Sequence, residues 1–163
     1  MYAALALTAA MHERGVAADF RATGQTGILI AGVGVPVDAV VADFISGAIE
    51  QLAPARRDGG WDVIEGQGSL FHPSFARVST GLLHGAQPEA IVGCHDPGRT
   101  EMRGLRGRAL PDLAECLEQN LNIGRLTSPN IRAVGVCLNT SQMDAASART
   151  LPKTDSACPA PTQ

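Results

Sequence analysis

Residues 61–74 read WDVIEGQGSLFHPS, a short apolar run that ends on an acid and opens into a glycine turn. The turn carries Gln67, Ser69 and His72 directly after Glu65. Open α/β sheets present charged groups in this way at the carboxyl ends of their strands, where ligands bind. The stretch therefore predicts a buried strand that leads into an active-site edge. An ordinary connection between a strand and a helix is an equally weighted alternative.

The composition of the chain indicates one domain that acts on small molecules. Its 163 residues suffice for a single core that buries roughly two-thirds of the surface of the unfolded chain. With 4% aromatic residues and 18 glycines, the core must consist of small aliphatic side chains, which suit parallel sheets. The net charge of -3 and the lack of a long basic cluster argue against nucleic acid or a membrane as partner.

The cysteines and the N-terminal segment indicate a cytoplasmic protein. The four cysteines are widely spaced and form no C-x-x-C pair, so neither a metal site nor a disulfide framework is expected. Cys94 and Cys137 lie in apolar runs, and we expect them to be buried and reduced. Residues 2–14 lack the basic start of a signal peptide, and no apolar run reaches the length of about 18 residues that spans a membrane.

Hydrophobic periodicity predicts one domain over residues 1–150 and a disordered tail over residues 151–163. Alternating elements indicate an α/β fold, a mostly parallel sheet with helices on both faces. The predicted helices are 2–14, which should be mostly buried, 39–52, 75–83 and 110–121. The predicted strands are 16–20, 61–64, 90–95 and 130–140. Four strand ends should then meet at one rim, and they carry Arg21, Glu65, His95 and Asn139.

A second glycine turn, residues 21–27 (RATGQTG), follows the first predicted strand. Arg21 and the backbone N–H groups between the glycines suit a phosphate or a carboxylate, which makes the turn a candidate anion-binding loop. Thr23 and Gln25 add polar side chains to it. An ordinary turn without a ligand is the favoured alternative.

Four segments together resemble the DUF1611 family: residues 19–27 (DFRATGQTG), 38–44 (DAVVADF), 65–73 (EGQGSLFHP) and 82–88 (LLHGAQP). The resemblance extends over residues 2–150, most of the chain. It implies a P-loop NTPase-like three-layer fold, similar to that of dethiobiotin synthetase. Characterised members of the family include the D-glutamate N-acetyltransferase of D-glutamate catabolism, so the resemblance also implies acyl transfer.

One element of the family pattern is absent from this sequence. The family carries a glycine-rich phosphate loop with a lysine before a helix similar to residues 2–8 (YAALALT), and this chain has no such loop. In the family that segment supplies the central strand and the helix N-terminus whose N–H groups cradle phosphates. The resemblance therefore predicts a chain truncated at both ends, with a sheet that lacks its first strand.

The resemblance implies an N-acetyltransferase that uses acetyl-CoA and acts on an acidic amino acid, D-glutamate. Glu65 or His72 would be the catalytic base. Arg103 and the basic loop around it would contact CoA, and Asn139 matches a strand end that lies near the nucleotide base in related folds. The candidate substrate-binding residues are Arg21, Thr23, Gln25, Gln67, Ser69 and His95.

Two other functions stay open at this point. One is an ATP-binding ligase or ATPase in which Glu65 serves Mg²⁺, and the other is an inactive remnant of a longer protein. No resident metal is expected in the transferase, and association into a homo-oligomer is left open.

Overall fold

A computed structural model describes residues 1–151, so the predicted tail lies, except for Leu151, outside the described residues. The α/β class is confirmed. Two 3₁₀ turns, Val37–Ala39 and Ala42–Phe44, precede the third helix. The helices and strands, in chain order, are α1 (Tyr2–Glu13), β1 (Ala18–Arg21), α2 (Gln25–Ala31), α3 (Ile45–Leu52), β2 (Trp61–Ile64), α4 (Ala76–Ala86), β3 (Ala90–His95), α5 (Leu113–Gly124), β4 (Arg132–Leu138) and α6 (Ala145–Thr150).

The strands form two separate parallel pairs. β1 pairs with β2 and β3 pairs with β4, whereas no ladder joins β2 to β3 in the described part of the chain. The parallel pairing agrees with the sequence pattern. The four strand ends are therefore divided between two pairs: Arg21 lies with Glu65, and His95 lies with Asn139.

Helix α4 connects the two pairs because neighbouring residues on it pack into different cores. Leu82 is buried with Val37 and Ile49 in a core against which Ile64 of β2 also packs. Leu83 packs against a second core between α5 and the β3–β4 pair, formed by Leu117, Leu121, Ile131 and Ala133. Successive helical residues point about 100° apart, so one helix can serve both cores.

The structure corrects the predicted burial of helix α1 and of two cysteines. Within α1, Thr8 is the buried residue, while the side chain of Tyr2 is 80% exposed. An Ala-rich and Leu-rich composition promotes a helix but does not by itself define which face is covered. Cys94 and Cys137 are exposed rather than buried. Their strands are covered by α5 on one face, and both cysteines lie on the other.

The predicted helix over residues 39–52 is also shorter than expected, because α3 begins at Ile45. No helix among residues 1–151 combines the length and the apolar character needed to cross a membrane.

The start of α5 offers a direct test of one local interaction. The Asp112 carboxylate accepts hydrogen bonds from the backbone N–H groups of Ala114 (2.8 Å) and Glu115 (3.4 Å), as an N-cap does. We expect Asp112→Ala to lower the free energy of unfolding by about 1 kcal/mol. Asp112→Asn retains an acceptor and should cost less. Chemical denaturation measures both, and equal losses in the two variants would contradict the capping role.

Candidate functional site

Glu65 follows β2 and is 6% exposed. Its Oε2 accepts hydrogen bonds from the backbone N–H groups of Thr23 and Gly24, each at 3.0 Å. These two groups lie directly before α2, where a helix exposes unpaired N–H groups and favours negative charge. The carboxylate of Glu65 therefore caps α2 from a different strand.

Hydrogen bonds of Thr23, whose side chain is fully buried, connect the two glycine-containing segments recognised in the sequence. Its hydroxyl donates to the backbone carbonyl of Glu65 at 2.7 Å and accepts from Nε2 of Gln67 at 2.7 Å. Thr23, Gly24, Glu65 and Gln67 thus form one hydrogen-bonded unit, which we call the Glu65 cluster. It brings together three of the predicted site residues.

Gly27 makes room for the carboxylate, a role that was not predicted from the sequence. A Cβ at this position would collide with Oε2 of Glu65 and lie 3.1 Å from its Cδ. A Cβ at Gly24 would lie 3.3 Å from Nε2 of Gln67. The spacing Gly24-x-x-Gly27 at the start of a helix was the available signal, since glycine is typical where another group approaches the backbone closely.

The second carboxylate oxygen of Glu65 faces a positive charge. The α-ammonium group of Met1 lies 3.9 Å from Oε1, and the two side chains are 14% and 8% exposed, respectively. The pair is therefore largely shielded from water. Opposite charges attract more strongly in such surroundings than at the surface of the protein. Oε1 thus lies against the first residue of the chain, while Oε2 keeps its two backbone hydrogen bonds. No motif in the sequence indicated this contact.

Arg21 belongs to an ion-pair group on β1 and β2. Its Nε donates to Asp62 at 2.8 Å, and Arg56 donates to the same carboxylate at 3.0 Å. Arg56 also donates to Asp58 at 2.6 Å, and this guanidinium holds the pKa of the Asp58 carboxyl well below its usual range. Because Arg21 and Asp62 lie on neighbouring strands, their contact joins β1 to β2.

The segment 21–27, predicted as an anion-binding turn, runs from the end of β1 into the first turn of α2, and the anion found against it is a carboxylate of the protein itself. Two of its backbone N–H groups are taken by Glu65, and the guanidinium of Arg21 is paired with Asp62. An external phosphate or carboxylate would have to compete with these internal partners. A role for Arg21 in substrate binding stays a prediction.

His72 is buried, and both of its ring nitrogens have backbone partners. Nδ1 accepts from the N–H of Ser74 at 3.2 Å, so Nε2 carries the proton and donates to the carbonyl of Arg103 at 3.0 Å. The ring also stacks on Phe75 with centroids 4.4 Å apart. His72 thus ties the basic loop around Arg103 to the turn that follows Glu65.

The remaining predicted residues lie outside the Glu65 cluster. Gln25, Ser69 and Arg103 have exposed side chains. His95 ends β3, and Asn139 follows β4, in the second strand pair. The amide of Asn139 donates to Asp96 at 3.4 Å and accepts from the N–H of Ser141 at 3.2 Å, which arranges the loop after β4.

Comparison with known proteins gives concordant matches. A family model described as "Domain of unknown function (DUF1611_C) P-loop domain" matches residues 1–161. The chain is 53% identical over 143 residues to a D-glutamate N-acetyltransferase of Pseudoalteromonas sp, and 50% identical over 143 residues to one of Tritonibacter scottomollicae. Each alignment covers 88% of this chain and 43% of the relative.

A solved structure agrees with these sequence matches. The crystal structure of a DUF1611 family protein from Anabaena variabilis ATCC 29413 superimposes with a TM-score of 0.83 at 34% identity. It is matched by 90% of this chain, over 43% of its own length. The chain therefore spans less than half the length of the relatives it matches.

Proposed function

The chain belongs to the DUF1611 family, and on that premise we propose that it serves the transfer of an acetyl group from acetyl-CoA to the amine of D-glutamate. Two curated relatives that are about half identical to it carry the name of this activity. In the reaction the amine nitrogen attacks the thioester carbonyl, a C–N bond forms, and CoA leaves as the thiol. The step belongs to D-glutamate catabolism in this proposal, and it takes place in the cytoplasm.

The observation that carries the proposal is the buried carboxylate of Glu65, which follows β2 and is held through Oε2 by the backbone N–H groups of Thr23 and Gly24. The amine of an amino acid is an ammonium at neutral pH and must lose a proton before it can attack a carbonyl. A buried carboxylate that accepts two backbone hydrogen bonds on one oxygen, here Oε2, is fixed in orientation. Glu65 would bind the substrate ammonium and accept its proton.

The basic loop around Arg103 is the proposed contact for CoA. Arg103 and Arg106 have exposed guanidinium groups, which suit the phosphates of CoA. His72, whose two ring nitrogens both have backbone partners, would position this loop through the carbonyl of Arg103 rather than act as the base. Asn139 is proposed to lie near the nucleotide portion of the bound acetyl-CoA.

The substrate carboxylates need positively charged or hydrogen-bonding partners. Arg21 would supply one if a substrate carboxylate replaced Asp62 on its guanidinium, at the cost of an internal ion pair. Gln67 and Ser69 offer an amide and a hydroxyl in the turn after Glu65. This assignment predicts a preference for an amino acid with two carboxylates.

The family is described as a P-loop domain, and this description supports one alternative function, the binding of ATP with Mg²⁺. Among residues 1–151, no three His, Cys, Asp or Glu side chains are grouped so as to hold a metal ion. Mg²⁺ often binds through one or two carboxylates together with substrate phosphates, so the alternative is tested by ligand binding rather than by the geometry alone.

We expect Glu65→Gln to lower acetyl transfer at least about a hundredfold, because a neutral amide cannot accept the proton of the amine. Its side-chain carbonyl can still accept the N–H groups of Thr23 and Gly24, so the fold should persist. Glu50→Gln is the matched control, since it makes the same change at an exposed position of α3, outside the Glu65 cluster. The assay follows N-acetyl-D-glutamate by mass spectrometry, with L-glutamate as a second substrate.

Equal rates for the Glu65→Gln variant and the unchanged chain would remove Glu65 from the mechanism. Thermal shift provides an independent reading, because a ligand that binds the native state raises the melting temperature. Acetyl-CoA and D-glutamate are expected to raise it. Stabilisation by ATP with Mg²⁺ alone would favour the alternative, and neither product nor stabilisation would contradict the transferase proposal for this chain.

A further inference from the structure

Two cysteines face each other on neighbouring strands of the β3–β4 pair. Cys94 of β3 and Cys137 of β4 are register partners in this parallel ladder. Both are free thiols, and both are exposed. Partners in register on neighbouring strands have their Cα atoms about 4.8 Å apart. A disulfide requires a Cα separation of roughly 4.4–6.8 Å, so the backbone positions of the two cysteines are suitable for one.

The side chains of the two cysteines lie on the same face of the pair. A Cβ at Gly93 would lie 2.9 Å from Leu117 of α5, and Val136 packs against the core that includes this leucine. Residues 93 and 136 therefore face α5. Successive residues on a strand point to opposite faces, so Cys94 and Cys137 face away from α5.

The face that carries the thiols is open to solution in the described part of the chain. Val92 and Val134, on the same two strands, are 41% and 52% exposed. A small oxidant could therefore reach the two sulfur atoms. The third cysteine among the described residues, Cys116, lies on α5 and is partly buried.

We propose that Cys94 and Cys137 form a redox-active dithiol that closes to an intrachain disulfide between β3 and β4 when it meets a low-molecular-weight disulfide such as oxidised glutathione. The thiolate of one cysteine attacks a glutathione sulfur, forms a mixed disulfide and releases one glutathione. The second cysteine attacks the protein sulfur of that intermediate and releases the other. Two protein thiols are oxidised and one glutathione disulfide is reduced to two thiols, which take up, through solvent, the two protons that the protein thiols lose.

The direction in which the pKa of Cys94 is shifted agrees with the closeness of Cys94 to Cys137. Partial desolvation raises the pKa of the Cys94 thiol, the neighbouring Cys137 raises it further, and the α-ammonium of Met1 acts in the opposite direction. Thiolate is the attacking species. The reaction is therefore best assayed at mildly alkaline pH, where more thiolate is present.

The experiment treats the purified chain with oxidised glutathione and identifies its disulfides by mass spectrometry of peptides. We expect a Cys94–Cys137 cross-link with the loss of two hydrogens from the intact mass. Cys94→Ser and Cys137→Ser should each abolish the cross-link and retain glutathione on the other cysteine. Cys116→Ser is the matched control and should leave the cross-link unchanged.

A second measurement reports on the fold. The cross-link joins two strands of the native structure, so the oxidised chain should melt at a higher temperature than the reduced chain. This difference should vanish in Cys94→Ser and persist in Cys116→Ser. Stable glutathione adducts on both Cys94 and Cys137, or a disulfide only between two copies of the chain, would overturn the proposal.

Discussion

Replacing Gly85 by alanine is expected to lower the free energy of unfolding by about 3 kcal/mol, because the backbones of α3 and α4 are in close contact there. A Cβ at Gly85 would collide with the carbonyl oxygen of Ser46 and lie 2.8 Å from its Cα. It would also lie 2.9 Å from the Cβ of Ile49, which is fully buried. Main-chain atoms cannot adopt another rotamer as a flexible side chain can. The added methyl group therefore forces α3 and α4 further apart.

The facing helix provides a control with the opposite sign. Gly47 lies inside α3, and a Cβ there would have no atom within 4 Å. Gly47→Ala should therefore raise the free energy of unfolding by roughly 0.5–1 kcal/mol, through helix propensity alone. Denaturation in urea measures both variants. If Gly85→Ala behaved like Gly47→Ala, the close packing of α3 on α4 would be wrong.

The second large effect is expected at Glu65. Glu65→Ala should lower the free energy of unfolding by about 3 kcal/mol, because it leaves the N–H groups of Thr23 and Gly24 without their acceptor at a buried helix start. Glu65→Gln keeps an acceptor and should lose much less. The comparison separates the structural role of the carboxylate from its proposed role as a base, since Glu65→Gln should impair transfer while preserving stability.

Gly27 allows a sharper version of this test. In the unchanged chain Gly27→Ala should be destabilising, because the added methyl group collides with the carboxylate of Glu65. In a Glu65→Ala background that collision is absent, so the cost of Gly27→Ala should fall clearly. The two changes are then non-additive, as expected for residues in contact. Additive costs would show that the carboxylate does not lie against Gly27. Glu50→Ala, on the exposed side of α3, is the control for loss of charge.

Much of the candidate site could be predicted because its chemistry is local. Thr23, Glu65 and Gln67 stand in short polar turns after apolar runs, and such turns follow the carboxyl ends of parallel strands. The clearance at Gly27 was missed, since it depends on how α2 approaches Glu65. Likewise, the free thiols of Cys94 and Cys137 looked buried because their apolar neighbours carry no information on which face a helix covers.

The sequence by itself determined the α/β class, the parallel strands and the polar turn after β2, because periodicity and glycine placement act over a few residues. It also determined the family, through motifs that are contiguous in the chain. Only the tertiary structure decided that Glu65 caps α2, that Arg21 is paired with Asp62, and that Cys94 lies beside Cys137. Each of these contacts joins residues about 40 positions apart. Their geometry follows from the packing of whole elements, which no local pattern encodes.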